Sequence, residues 1–173
     1  MLYPQPVISA ANHLTHYLYR TMKLIAHIAI AAACSGALVS TAHAFGEVGR
    51  WTSGWGQGTS EYTVVDAKRN ALYIACSEDR PVSMSLTVAG KEYGSYTQQE
   101  FSLIIDGKEI STPYATSSRV GADNFRYAWD AMRKAKSLQA KTADGKVVTL
   151  PLVNAAKALP SSKSREFACR TEF

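Results

Sequence analysis

Histidine is missing from most of the chain. The four histidines are His13, His16, His27 and His43, so none follows residue 44. Without imidazole, residues 45–173 lack a Ser-His-Asp or Cys-His catalytic arrangement, an imidazole general base and the commonest nitrogen ligand of zinc. We therefore predict no catalytic residue, no metal site and no cofactor, and we interpret the protein as non-enzymatic.

Long apolar runs are also scarce, and the main one follows Met22. Lys23 provides a short basic region, residues 24–39 are mostly apolar, and Ala42 and Ala44 stand at the −3 and −1 positions of a cleavage site. The pattern predicts a signal segment over residues 1–44, with Met22 as the true start and cleavage after Ala44. Because the run is short and interrupted, we expect no membrane span after cleavage. Lipid attachment at Cys34 is an alternative.

The charge of the remaining chain is low. Residues 45–173 contain 17 basic and 14 acidic side chains, a net charge of +3. This excess is too small to indicate binding to nucleic acid. We predict one periplasmic or secreted domain over residues 45–173.

Only two cysteines remain after residue 44, Cys76 and Cys169. An even pair in an exported chain favours one disulfide. Cys76 ends an alternating strand on the same side as Leu72 and Ile74, so we expect its sulfur to point into the core. The alternative is two buried free thiols.

Alternation of apolar and polar residues predicts several strands. It is clearest at residues 71–76 and 82–88, where every second residue is apolar. Asp-Gly pairs at Asp106-Gly107 and Asp144-Gly145 predict two hairpin turns, because both residues tolerate positive φ.

One segment has helical periodicity. Over residues 123–136, Phe125, Trp129 and Met132 recur at spacings that place them on one helix face, and Asp123 can cap the N-terminus. A short C-terminal helix is expected over residues 154–159, before Pro160. The fold class predicted is α+β, an antiparallel sheet or β-sandwich with one main helix.

Two groups of residues are candidate functional sites. Tyr93 and Tyr96 lie in a polar segment between strands, and an exposed aromatic loop is a good contact surface. Carboxylates are the remaining catalytic class, and a pair such as Glu92 with Glu100 could act as acid and base if the fold brought them together.

Spaced hydrophobic residues and the two cysteines resemble a known arrangement. Its parts are Trp51, the strand Leu72-Tyr-Ile-Ala-Cys76, the strand that ends at Asp106-Gly107, Trp129, and the closing segment from Leu159 to Cys169. This looks like the small periplasmic VasI-type proteins that are associated with type VI secretion. The chain is similar to a smaller degree to invasion-associated locus B proteins, whose closely spaced cysteines it lacks.

The VasI-type resemblance implies an accessory protein of the bacterial cell envelope, within a secretion or transfer apparatus, whose partner is an envelope protein. Two other functions fit an exported domain of this kind. One is inhibition of a lytic enzyme such as lysozyme. The other is a carboxylate-dependent cell-wall hydrolase.

Overall fold

The strands of the protein follow the alternating pattern of its sequence. The computed structural model describes residues 46–173, so the predicted signal segment, the start at Met22, the cleavage site and Cys34 lie outside the described residues. Leu72, Ile74 and Cys76 are buried on one face of their strand, as the alternation predicts, while Tyr73 and Ala75 lie on the other face.

Five strands form the first sheet, and each pairs antiparallel with the next along the chain. They are β1 (Trp51–Gly56), β2 (Thr59–Val65), β3 (Ala71–Ser77), β4 (Ser83–Val88) and β5 (Lys91–Gly94). The inner face is apolar, and the outer face of β2, β3 and β4 is rich in hydroxyl side chains. One face therefore belongs to the core and the other is available to solvent or a ligand.

Four strands form the second sheet, in the order β7-β6-β8-β9, and all neighbours are antiparallel. They are β6 (Phe101–Ile105), β7 (Lys108–Ser111), β8 (Leu138–Thr142) and β9 (Val147–Thr149). A hairpin is confirmed at each predicted Asp-Gly pair, since β6 pairs with β7 and β8 pairs with β9.

The two Asp-Gly turns differ in conformation. Asp106 and Gly107 both have positive φ, 48° and 84°, and Ile105 pairs directly with Lys108. This is the two-residue turn that matches the twist of a hairpin. In the other turn only Gly145 has positive φ, and the Gly145 N–H donates to the Thr142 carbonyl. The longer turn places Asp144 where its carboxylate meets the first sheet.

The main helix, α1 (Arg119–Met132), begins four residues before the predicted start. The prediction that Asp123 caps it was wrong, because the Ser118 hydroxyl accepts a hydrogen bond from the Gly121 N–H at 3.1 Å and so caps the N-terminus of the helix. Gly121 fits this first turn because a Cβ at that position would lie 2.1 Å from the Ala115 carbonyl oxygen. The predicted inner face is confirmed, since Phe125, Trp129 and Met132 are buried.

A second, short helix, α2 (Ala155–Ala158), follows Asn154 as predicted. The Asn154 side-chain amide donates to the Trp51 carbonyl at 2.8 Å and ties this helix to β1. No helix in the described part of the chain has the length and apolar character needed to cross a membrane.

The inner faces of both sheets and of α1 meet in one hydrophobic core. Tyr62 of the first sheet packs edge-on against Trp129 of α1, with ring centroids 4.9 Å apart. The described residues fall within one compact unit, Ala44–Phe173. Two antiparallel sheets, one main helix and a short C-terminal helix confirm the predicted α+β class.

The predicted disulfide between Cys76 and Cys169 is confirmed. Both residues are buried, and the bridge joins the end of β3 to the last segment of the chain. That segment is also held by the Val82 N–H, which donates to the Arg170 carbonyl at 2.8 Å, and by Phe167, which packs on Trp129. The C-terminal segment is therefore an integral part of the fold.

Candidate functional site

The tip of the β1–β2 hairpin is the most distinctive exposed surface among the described residues. We define the hairpin-tip surface by the side chains that surround it: Trp55, Gln57, Glu61, Tyr73, Arg80 and Tyr96. Trp55 and Tyr96 are 74% and 75% exposed, although both are large aromatic side chains. Exposed Trp and Tyr beside Arg is a combination typical of binding surfaces.

Trp55 is exposed because the strand continues past the edge of the core. It lies on the same face of β1 as the buried Trp51, and the intervening Ser53 is already exposed. Its neighbours in sequence are Gly54 and Gly56, which have no side chains to cover the indole. The local sequence therefore presents a wide aromatic surface to solvent.

Two hollows lie on either side of the hairpin tip. The first has a volume of about 450 Å³ and is lined by Trp55, Gln57, Ser60, Glu78, Asp79 and Arg80, among others. The second, also about 450 Å³, is lined on the outer face of the sheet by Gln57, Thr59, Glu61, Tyr73, Arg80 and Tyr96, among others. The two hollows lie on opposite faces of the sheet and meet at the hairpin tip, where Gln57 and Arg80 line both.

The floor of the second hollow contains a hydrogen-bonded pair. The Tyr73 hydroxyl donates to Glu61 Oε1 at 2.6 Å, between diagonal neighbours on adjacent strands. Burial, and then the hydrogen bond and charge of Glu61, raise the pKa of Tyr73 well above its usual value. Tyr73 therefore stays protonated and holds the Glu61 carboxylate in place.

The loop after β3 is held in a similar way. The Ser77 hydroxyl donates to Asp79, and this bond, aided by the Arg80 and Arg170 charges, lowers the pKa of Asp79. Arg170 also donates to the Glu78 carbonyl at 3.2 Å. The wall of the first hollow is thus fixed by the C-terminal segment that the disulfide anchors.

The structure separates the two tyrosines that were predicted to form one exposed loop. Tyr96 lies in the loop after β5 and is exposed, as expected. Tyr93 lies within β5, on its inner face, and is fully buried. Its exposure was wrongly predicted because the apparent polar loop contains a short fifth strand, which places Tyr93 opposite Leu86.

The candidate acid–base pair is not placed in one hollow. Glu100 lines a shallow hollow on the second sheet with Glu109 and Lys141, whereas Glu92 lies on β5 of the first sheet. Within residues 46–173, the structure has no group of three or more His, Cys, Asp or Glu side chains placed to hold a metal ion.

Three residues of the hairpin-tip surface were not predicted from the sequence: Trp55, Gln57 and Arg80. The glycines beside Trp55 were a usable signal, since an aromatic between two glycines at a hairpin tip has few neighbours to bury it. Gln57 and Arg80 gave no signal, because their proximity depends on how β1, β2 and the loop after β3 come together.

Comparison with known proteins gives one match. A family model described as YfjT matches residues 49–159. The chain belongs to this family. The match includes all six residues of the hairpin-tip surface and ends before Cys169, while no curated protein and no solved structure matches the chain. Family membership by itself assigns no activity.

Proposed function

We propose that the protein is an exported, non-enzymatic binding protein of the bacterial cell envelope. The observation that most supports this is the hairpin-tip surface, where two solvent-exposed aromatic side chains border two polar hollows. Exposure of the Trp55 and Tyr96 rings to water is unfavourable, because burial of apolar surface lowers the free energy of a protein. A surface that keeps both rings exposed is therefore suited to contact with a ligand.

The disulfide supports export. Disulfides persist in the periplasm and outside the cell and are rare in the cytosol. The bridge between Cys76 and Cys169 lies beside the hollow that contains Glu78 and Asp79, so an oxidising compartment would also favour the correct shape of the site. The resemblance to VasI-type proteins supports a role as an accessory of a secretion or transfer apparatus.

Fractionation tests the export part of the proposal. The full chain with a C-terminal epitope should appear in the periplasmic fraction in a shortened form. A variant that lacks residues 22–44 should stay in the cytoplasm. Retention of the unaltered full chain in the cytoplasm would contradict export.

Retention of envelope material tests the binding part. The exported protein, immobilised, should retain an envelope component that the double variant Trp55→Ala/Tyr96→Ala fails to retain. The matched control is Tyr127→Ala, because Tyr127 is also a large exposed aromatic, 47% exposed, but lies on α1. Equal retention by the double variant and the native protein would contradict a role for the hairpin-tip surface.

A further inference from the structure

The two hollows at the hairpin tip suggest the chemical class of the ligand. We propose that they are adjacent subsites for a neutral glycan, a chain of pyranose rings. This inference rests on the proposed binding role of the hairpin-tip surface and specifies what that surface recognises.

Each hollow has an aromatic ring beside it. Trp55 borders the first and Tyr96 the second, and each ring is largely exposed. The face of an aromatic ring is electron-rich and attracts weakly positive C–H groups. A pyranose ring presents such C–H groups on one face, so each aromatic can stack against one sugar.

The remaining lining is polar and suited to hydroxyl groups. The first hollow provides carboxylate oxygens from Glu78 and Asp79, the guanidinium of Arg80 and the hydroxyl of Ser60. The second provides Thr59, Glu61 and Tyr73. Sugar hydroxyls both donate and accept hydrogen bonds, so neighbouring hydroxyls can satisfy carboxylate and guanidinium groups together.

The charges of the site favour a neutral ligand. The hollows are lined by three carboxylates, Glu61, Glu78 and Asp79, and by the guanidinium of Arg80, with Arg170 also close to Asp79. The acidic groups outnumber the basic ones, so a polyanion would be repelled. A strongly cationic ligand is also disfavoured, since Glu61 already accepts from Tyr73, and Asp79 accepts from Ser77 and lies 3.8 Å from the Arg80 Nε.

The two hollows meet at the hairpin tip, so a glycan chain that passes over the tip can place one ring in each, which a single sugar cannot do. Gln57 and Arg80 line both, so a ring in each hollow would touch the same two side chains from opposite sides. The pairing of β2 with β3 and the Arg170 hydrogen bond to the Glu78 carbonyl hold the backbone beside both hollows, which reduces the ordering needed on binding.

The tryptophans give a direct test. All three in the chain lie among the described residues, and Trp51 and Trp129 are fully buried while Trp55 is exposed. The tetramer of β-1,4-linked N-acetylglucosamine and the tetramer of β-1,4-linked glucose serve as neutral probes. We expect at least one of them to shift the fluorescence to shorter wavelength and to protect Trp55 from acrylamide quenching, with saturation.

Protein variants and glycans of different length locate the interaction. Trp55→Ala and Arg80→Ala should each weaken the calorimetric affinity for the tetramer at least tenfold, while Tyr127→Ala leaves it unchanged and circular dichroism confirms that every variant is folded. The tetramer should bind at least tenfold more tightly than the monosaccharide, because it occupies both hollows.

These experiments distinguish a failure of the glycan inference from a failure of the proposed binding role in the envelope. If neither tetramer binds with saturation, yet envelope material is retained through Trp55 and Tyr96, the ligand is a protein and the glycan inference is overturned. If a tetramer binds but envelope retention does not depend on these side chains, the glycan subsites stand and the proposed role in the envelope is overturned. Binding that Trp55→Ala and Arg80→Ala leave unchanged would also overturn the inference.

Discussion

Three buried aromatic residues with polar atoms differ in how those atoms are satisfied. The Trp129 indole N–H donates to the Pro160 carbonyl at 2.7 Å, and the Tyr93 hydroxyl donates to Asp144 at 3.1 Å. The Trp51 indole nitrogen has no hydrogen-bond partner within residues 46–173. Because a hydrogen bond to a buried group contributes about 0.5–1.5 kcal/mol, the three side chains should respond differently to removal of the polar atom.

Phenylalanine in place of each tryptophan separates packing from hydrogen bonding. Trp129→Phe and Trp51→Phe remove the same atoms from fully buried positions. We expect Trp129→Phe to lower the free energy of unfolding by about 1 kcal/mol more, because it alone leaves a carbonyl without its donor. Urea unfolding followed by circular dichroism measures both. An equal loss in the two variants would show that the Trp129 hydrogen bond contributes nothing.

The lowered pKa of Asp144 predicts that the protein loses stability at acidic pH. The Thr142 hydroxyl, followed by Tyr93 and the charges of Lys146 and Lys91, lowers the pKa of Asp144 to about 2. The pKa of an Asp side chain in an unfolded chain is about 3.9. Since the folded pKa is the lower one, the stabilisation is present above about pH 4 and is lost as the pH falls towards about 2.

Acid titration of a variant isolates this contribution. Between about pH 4 and pH 2, Asp144→Asn should lose stability less steeply than the native protein, because it has no carboxylate to protonate. Tyr93→Phe should fall between the two, as it removes one of the hydrogen bonds to Asp144. Urea midpoints at closely spaced pH values measure the slopes. Parallel slopes for the native protein and Asp144→Asn would contradict the assignment.

At the level of elements, the sequence predicts where strands and helices occur better than where they end. The strands around Leu72 and Met84 and the inner face of α1 follow from periodicity, and the two hairpins follow from the Asp-Gly pairs at their turns. The start of α1 does not, because it depends on how closely Gly121 approaches the Ala115 carbonyl. That contact is between a loop and a helix, and no periodic pattern describes it.

The candidate site was less predictable than the fold. Tyr96 could be identified because it stands in a polar segment, and it proved to be exposed. Tyr93 could not be separated from it, since strand β5 has four residues and little alternation. Arg80 meets the β1–β2 hairpin only through the pairing of β2 with β3. A site assembled by pairing of distant segments gives no local signal in the sequence.

The two candidate caps of α1 can be compared directly. Ser118→Ala should lower the free energy of unfolding by about 1 kcal/mol, because the Gly121 N–H loses its acceptor. Asp123→Ala should change it by less than about 0.5 kcal/mol, since Asp123 is an exposed side chain whose ion pair with Arg126 lies on the surface. Urea unfolding of both variants decides the matter. A larger loss in Asp123→Ala would place the start of the helix where the sequence predicted it.

For the whole molecule, the disulfide closes a loop across most of the fold. Cys76 and Cys169 are 93 residues apart, and between them lie β4 to β9 and both helices. Closing a loop of this length is worth roughly 4–5 kcal/mol in the chain-entropy description, before any strain. A domain of this size has a total stability of about 5–15 kcal/mol, so the bridge is a large part of it.

Removal of the bridge should therefore be costly. We expect Cys76→Ala/Cys169→Ala to lose roughly 4 kcal/mol in urea unfolding relative to the oxidised protein, and reduction of the native protein to lose a similar amount. The matched control is reductant added to Cys76→Ala/Cys169→Ala, which should change nothing, because that variant has no bridge to reduce. Equal unfolding midpoints of the native protein with and without reductant would show that the bridge does not stabilise the protein.

The same bridge determines how the molecule responds to tension applied at its two ends. Residues between Cys76 and Cys169 cannot lengthen while the bridge is intact, so only the 30 residues of 46–75 and the four after Cys169 can extend. These reach about 120 Å when stretched, against about 430 Å for residues 46–173 in the reduced state. Trp55 and Tyr73 lie in the extensible part, whereas Arg80 and Tyr96 lie inside the closed loop. A pull would therefore draw apart the two halves of the hairpin-tip surface, while the second sheet and α1 stay within a loop that cannot lengthen.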